Sequence, residues 1–111
     1  MKKITEKIIQ SFYKNKEIKI SNSSILIKNS ITEMYLFGNL IAKYDNKTKN
    51  LFITNAGYFS QTTKERLNGL NNVRLKQKQG IWYLNDVEWD GNWIQINNKP
   101  KSIKTKTSIY E

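Results

Sequence analysis

The stretch TEMYLFGNLIAKYD (Thr32–Asp45) decides how the chain is read. Two apolar-rich runs flank Gly38-Asn39, and a Gly-Asn pair supplies the positive φ that a tight β-turn needs. The segment therefore predicts an antiparallel hairpin bending at Gly38-Asn39. Upstream, Glu17–Ser21 and Ser24–Lys28 alternate, with Ile18 and Ile20 answered by Ile25 and Ile27, so a first hairpin turns at Asn22-Ser23. Downstream, the polar loop Asp45–Lys49 leads into a strand within NLFITNAG (Asn50–Gly57). VRLKQKQGIWYL predicts a further hairpin at Gln79-Gly80, and VEWDGNWIQI another at Asp90-Gly91.

Helices bracket the first strands. Ile4, Ile8, Ile9 and Phe12 form one apolar stripe over residues 2–14, the mark of a short amphipathic helix. A second helix is expected over 62–71, with Thr62 as N-cap, Glu65 closing a capping box, and Leu67 and Leu70 facing inward. Residues 97–111 read as a basic tail or an edge strand guarded by lysines, with Pro100 marking a break before the alternating stretch from Ile103 to Ile109. The expected fold is α+β in a single domain, 1–111. It is an antiparallel β-meander of successive hairpins, with an N-terminal amphipathic helix and a second helix after the central strand.

Composition narrows the chemistry. The 111 residues include neither His nor Cys, which removes His-assisted nucleophiles, Cys nucleophiles and soft-ligand zinc sites. No phosphate-binding glycine fingerprint is present, and no cofactor or metal is expected. Glu33 with Asp45-Asn46-Lys47 loosely matches the acid…acid-x-Lys layout of metal-dependent nucleases, but a solvated turn explains it as well. Asp86, Glu88 and Asp90 read as a solvated acidic face. The N-terminus lacks the continuous apolar run of a signal peptide, and no stretch is long and apolar enough to span a bilayer, so a cytoplasmic protein without membrane contact is expected.

The formal net charge is +10, which suits a polyanionic partner. Lys, Asn and Ile are abundant and arginine is limited to Arg66 and Arg74, a usage that an AT-rich genome also produces. Arg74, Lys76 and Lys78 alternate with Val73, Leu75 and Gln77, placing three cations on one strand face. Trp82 and Tyr83 follow on opposite faces, in the elementary layout of a sheet that tracks a backbone and stacks bases. The competing reading makes those cations a solvated face and sends Trp82, Trp89 and Trp93 to the core. At the second helix's start, free N–H groups are expected beside Thr63 and Lys64, with Arg66 about a turn from the cap; Lys64 and Arg66 are expected to be dispensable for folding. With Lys104 and Lys106 of the tail, the candidate partner-binding residues are Lys64, Arg66, Arg74, Lys76, Lys78, Lys104 and Lys106.

One pattern goes beyond these local readings. Gly38, Asn39, Ile41, Ala42, Gly57, Tyr58, the run Thr62-Thr63-Lys64-x-Arg66-Leu67-Asn68, and Gln77-Lys78…Trp82-Tyr83 are arranged as in a family of small phage and mobile-element proteins without an assigned activity. The chain resembles that family over roughly residues 32–85. The resemblance implies a phage, prophage or plasmid context and a compact β-rich core. Three functions are then open. The first is a non-enzymatic protein that binds nucleic acid or a nucleoprotein through its basic surface. The second is an anti-CRISPR-like inhibitor of a host defence system, acting on a protein or guide-RNA surface. A metal-dependent nuclease is the distant third.

Overall fold

The structure, a computed structural model, describes residues 2–96. Helix α1 (Lys3–Tyr13) precedes five strands, β1 (Ile18–Ile20), β2 (Ser23–Lys28), β3 (Ile31–Leu36), β4 (Asn39–Asp45) and β5 (Asn50–Ile53). Helix α2 (Gln61–Leu67) follows, then β6 (Leu75–Lys78), β7 (Ile81–Leu84), β8 (Val87–Glu88) and β9 (Ile94–Ile96). The strands form two antiparallel sheets, one in the order β1-β2-β3-β4-β5-β9 and a smaller one in the order β6-β7-β8. The α+β meander with an N-terminal helix and a second helix after the fifth strand is as expected.

The hairpin at the centre forms, shifted by one residue. Leu36 pairs with Asn39, so the two turn residues are Phe37 and Gly38, both left-handed at φ 52° and 79°. A two-residue turn with both φ positive matches the strand twist, and it places Phe37 rather than Asn39 at the tip. The first hairpin likewise turns one residue early, at Ser21-Asn22, with Ile20 paired to Ser23. Gln79-Gly80 makes the expected turn between β6 and β7.

The expected hairpin at Asp90-Gly91 does not form. Strand β8 instead pairs with β7 across an Asn85-Asp86 turn, with both residues left-handed, and β9 leaves to pair with β5. Tertiary contacts outweigh the local turn signal. Trp89 is buried against Trp82, with ring centroids 6.3 Å apart, and its indole N–H donates to the Asn92 carbonyl at 3.0 Å. The Gly91 carbonyl accepts from Asn55 N–H at 3.0 Å and from the Thr54 hydroxyl at 2.6 Å. Asp90-Gly91 is therefore the bend by which the chain crosses between sheets.

In β4, Ala42 pairs with Met34 but Leu40 pairs with Tyr35, leaving Ile41 as an extra residue. This bulge lets the consecutive Ile41 and Ala42 both bury, which plain alternation forbids. Against the sheet's Ile25, Met34 and Ile53, α1 lays Ile8 and Phe12, all fully buried. Leu67 and Leu70 join the same core, as do Leu75, Leu84 and both Trp82 and Trp89 of the smaller sheet. Trp93 departs from expectation: it remains 45% exposed. Its ring covers Lys43 Nζ at 4.9 Å, with Phe52 on that ammonium's other contact at 5.7 Å. Residues 97–111, read as tail or edge strand, lie outside the described residues.

Met34→Ala should lower unfolding stability by about 2–5 kcal/mol, because a fully buried side chain is replaced by a cavity beneath the central strands. Denaturant unfolding with an unchanged m-value would check it.

Candidate functional site

Strand β6 carries the basic pattern at the edge of the smaller sheet. Leu75 pairs with Leu84 and Gln77 with Trp82; of these, Leu75, Leu84 and Trp82 are buried. Lys76 pairs with Tyr83 and Lys78 with Ile81, so the opposite face carries the cations around a half-buried tyrosine. The aromatic ring on the cationic face is thus Tyr83; Trp82 belongs to the core. Arg74 reaches Asp86 at 3.2 Å and Lys76 reaches it at 3.6 Å, and all three side chains are well exposed. The Arg74 hydrogen bond, then the Lys76 charge, hold the Asp86 carboxyl below its ordinary range. Lys76, Gln77, Lys78, Tyr83 and Asp86 line a shallow groove of about 450 Å³.

Lys64 approaches the same strand from the other side. Its ammonium donates to Gln77 Oε1 at 2.6 Å and lies 5.7 Å from the Trp82 ring centroid. Lys64, Arg74, Lys76 and Lys78 therefore border one edge strand, although they are separated by up to 14 positions in sequence.

Arg66 is not part of that surface. Its side chain is buried, and the guanidinium donates to Thr5 Oγ1 at 2.7 Å, Ser23 Oγ at 3.0 Å and Asn22 Oδ1 at 3.3 Å. Burial pushes its pKa down, opposed by the charge of Glu65. The expectation that Arg66 is dispensable for folding is corrected: it fastens α2 to α1 and to the β1–β2 turn. Lys104 and Lys106 lie outside the described residues.

The capping assignment is also corrected. Ser60 is the N-cap, its hydroxyl accepting from Thr63 N–H at 3.2 Å and lying 2.9 Å from Thr63 Oγ1. Ser60-x-x-Thr63 and Thr62-x-x-Glu65 overlap in the sequence, and burial of Thr63 selects the first. Glu65 instead accepts from the Lys2 backbone N–H at 3.0 Å, and this bond lowers its pKa. Both N–H groups expected to be free are engaged by Ser60, Thr63 N–H by its hydroxyl and Lys64 N–H by its carbonyl at 3.2 Å.

Of the acidic candidates, Asp45 and Asp90 brace turns and Glu33 lies within β3. Asp45 accepts from Lys47 N–H at 2.9 Å and Thr48 N–H at 3.3 Å, which lowers its pKa. Glu33 accepts from the Tyr35 hydroxyl at 2.9 Å. Asp90 holds Asn92 through two 3.0 Å hydrogen bonds. Among the described residues, no group of three or more Asp, Glu, His or Cys is placed to hold a metal ion.

One feature escaped sequence reasoning. The β3–β4 turn meets the segment before α2 and encloses a pocket of about 260 Å³, lined by Leu36, Phe37, Asn39, Ile41, Asn55, Tyr58, Ser60 and Thr63. Phe37 and Tyr58 line it while remaining more than half exposed. Asn55 is buried, its Oδ1 accepting from Gly57 N–H at 2.8 Å and its Nδ2 without a partner. Gly91 presses on this carboxamide so closely that a Cβ would collide with it. The available signal was Asn55-Ala56-Gly57, whose last two residues are left-handed; nothing local joined it to Phe37, 18 positions earlier.

Arg66→Ala should cost about 1.5–3 kcal/mol by thermal or denaturant unfolding, since hydrogen bonds from a charged group are lost together. Arg66→Lys should not restore the loss, because an ammonium cannot reproduce the guanidinium fork. Asp45, Glu65 and Asp86 all have folded pKa values depressed below the unfolded ones. Their contribution is complete above the ordinary carboxylate range and lost as pH falls through the folded values. The melting temperature should therefore fall from about pH 5 downward, and Glu65→Gln should make that fall shallower.

No helix among the described residues is long and apolar enough to cross a membrane. Neither a curated protein nor a solved structure matches the chain. The family model described as Kyanoviridae Gp96 protein does match, over residues 1–105, well beyond the segment that carried the sequence resemblance. Covering nearly the whole chain, that match places the protein in this phage family: it is a member of the Kyanoviridae Gp96 proteins.

Proposed function

We propose that this small phage protein is a non-enzymatic binding protein that docks on nucleic acid, or on a nucleoprotein, through the edge of its smaller sheet. The observation that carries the reading is the common face of Arg74, Lys76 and Lys78 around Tyr83, on a strand whose other side is bordered by Lys64. Three donors spaced along an extended strand suit successive phosphates, and a half-exposed ring among them offers a stacking surface. Asp86 holds Arg74 and Lys76 without neutralising the patch, so part of the cost of ordering them is met before a partner arrives. The formal charge of +10 adds long-range attraction.

A second reading, inhibition of a host defence system, uses the same cations against guide RNA or an acidic protein surface. Its support is the exposure of Ile81 and Val87 in this sheet, apolar groups that a protein partner would cover and a phosphate backbone would not. Affinity purification from host lysate separates the two: a defined multisubunit protein favours inhibition, and bulk nucleic acid favours the first reading.

The direct test is a salt titration of single-strand binding. The affinity should fall steeply with salt, and the combined Arg74→Gln, Lys76→Gln and Lys78→Gln variant should reduce the log–log slope by about 2, or roughly 0.7 per lost phosphate contact. An unchanged slope in that variant, or absence of binding at low salt, would refute this assignment.

A further inference from the structure

In the run Thr62-Thr63-Lys64-x-Arg66-Leu67-Asn68, the last residue is used neither by the basic surface nor by the joint at Arg66. Asn68 is the C-cap of α2, one helical turn beyond Lys64, whose carbonyl accepts its N–H at 2.8 Å. Its side chain reaches β6. Asn68 Oδ1 accepts from Leu75 N–H at 2.6 Å, and Asn68 Nδ2 donates to the Leu75 carbonyl at 3.3 Å. One carboxamide thus supplies the acceptor and the donor that a residue of a neighbouring strand would supply.

Main-chain hydrogen bonds alternate between the two sides of a β-strand. The Arg74 carbonyl accepts from Asn85 N–H at 2.9 Å, on the side of β7, so Leu75 and Gln77 turn their main-chain groups to the outer edge. Helix α2 meets both positions. Asn68 takes the Leu75 main chain, and the Lys64 ammonium takes the Gln77 side chain at 2.6 Å. The spacing fits, since four helical residues rise about 6 Å and two strand residues between about 6.4 and 6.8 Å. Leu75 and Gln77 have one parity, and Arg74, Lys76 and Lys78 have the other. Fastening the first set presents the second on the opposite face, around Tyr83. An open strand edge also invites another chain to pair with it, and at Leu75 both groups are already taken.

We infer that Asn68 is the positioning residue of the basic face. Its carboxamide stands in for a strand beyond β6, holds Arg74, Lys76 and Lys78 in line, and leaves a polyanion their side chains rather than the main-chain edge. The inference rests on the nucleic-acid reading given above and adds what keeps that surface in register. Cations two strand residues apart meet successive phosphates only while β6 stays extended, and Asn68 fixes the strand at its start without touching the partner.

The test joins a salt titration of oligothymidylate binding, by fluorescence anisotropy well below each variant's melting temperature, to amide hydrogen exchange. Asn68 is exposed, so Asn68→Ala opens no cavity. That variant should speed exchange of the Leu75 amide and lower the log–log salt slope by about 0.7 or more, the share of one phosphate contact on a single strand. Met34→Ala, which weakens the core away from β6, should lower the melting temperature and keep the slope. An unchanged slope in Asn68→Ala overturns the positioning role and leaves the nucleic-acid reading standing. A slope that falls equally in Met34→Ala assigns the effect to lost stability and overturns it as well. Leu75 exchange no faster in Asn68→Ala than in the unmodified protein overturns the claim that the carboxamide replaces a strand. An unmodified protein that binds no oligothymidylate at low salt overturns the nucleic-acid reading, and the positioning role with it.

Discussion

A buried guanidinium is the constraint around which the larger sheet and both helices are arranged. Arg66 donates to Thr5 on α1, Asn22 and Ser23 at the β1–β2 turn, and does so from inside the core. All three acceptors are neutral oxygens, so the charge is solvated by the protein rather than cancelled. Each donor direction fixes an element: α1 cannot rotate without losing Thr5, and the first hairpin cannot slide without losing Ser23. Gly69 completes the joint by letting the end of α2 meet Ile9 of α1 at a distance no Cβ would allow.

The second junction is the crossing at Gly91. Its carbonyl is held by Thr54 and Asn55, which ties the last strand to the end of β5 and returns the chain from the smaller sheet to the larger one. The same Asn55 is among the residues that line the pocket, so the sheet crossing fixes one part of its wall. A position that must be glycine for close approach and a buried amide with one unused donor are two consequences of a single packing event.

Positive charge is distributed among unlike tasks. Lys43 lies between Phe52 and Trp93, Lys64 over Trp82, and Arg66 inside, whereas Arg74 and Lys76 flank Asp86 on the surface. Counting cations therefore overstates the area available to a polyanion. What distinguishes β6 is that its cations lie on one side of an edge strand with a ring among them.

The sequence by itself determined the α+β class, the order of helices and strands, the apolar face of α1, the Gln79-Gly80 turn and the cationic face of β6. These rest on periodicity and turn chemistry, which act over a few residues. It did not reveal the fate of Arg66, the true N-cap, the exposure of Trp93, the crossing at Asp90-Gly91, or the pocket. Each of those depends on partners 18 or more positions away or on a choice between overlapping local signals. Local pattern points to Thr62 as the cap, whereas the hydroxyl that accepts from the helix N–H is that of Ser60, bonded to the buried Thr63. Asp90-Gly91 is as good a hairpin turn as Gln79-Gly80 by local chemistry, and only the burial of Trp89 and the hydrogen bonds to Gly91 turn it into a crossing. Backbone conformation was legible because it is local; the roles of Arg66 and Asn55 were decided by tertiary packing, because a polar side chain acquires its function from whatever the fold brings within hydrogen-bonding distance.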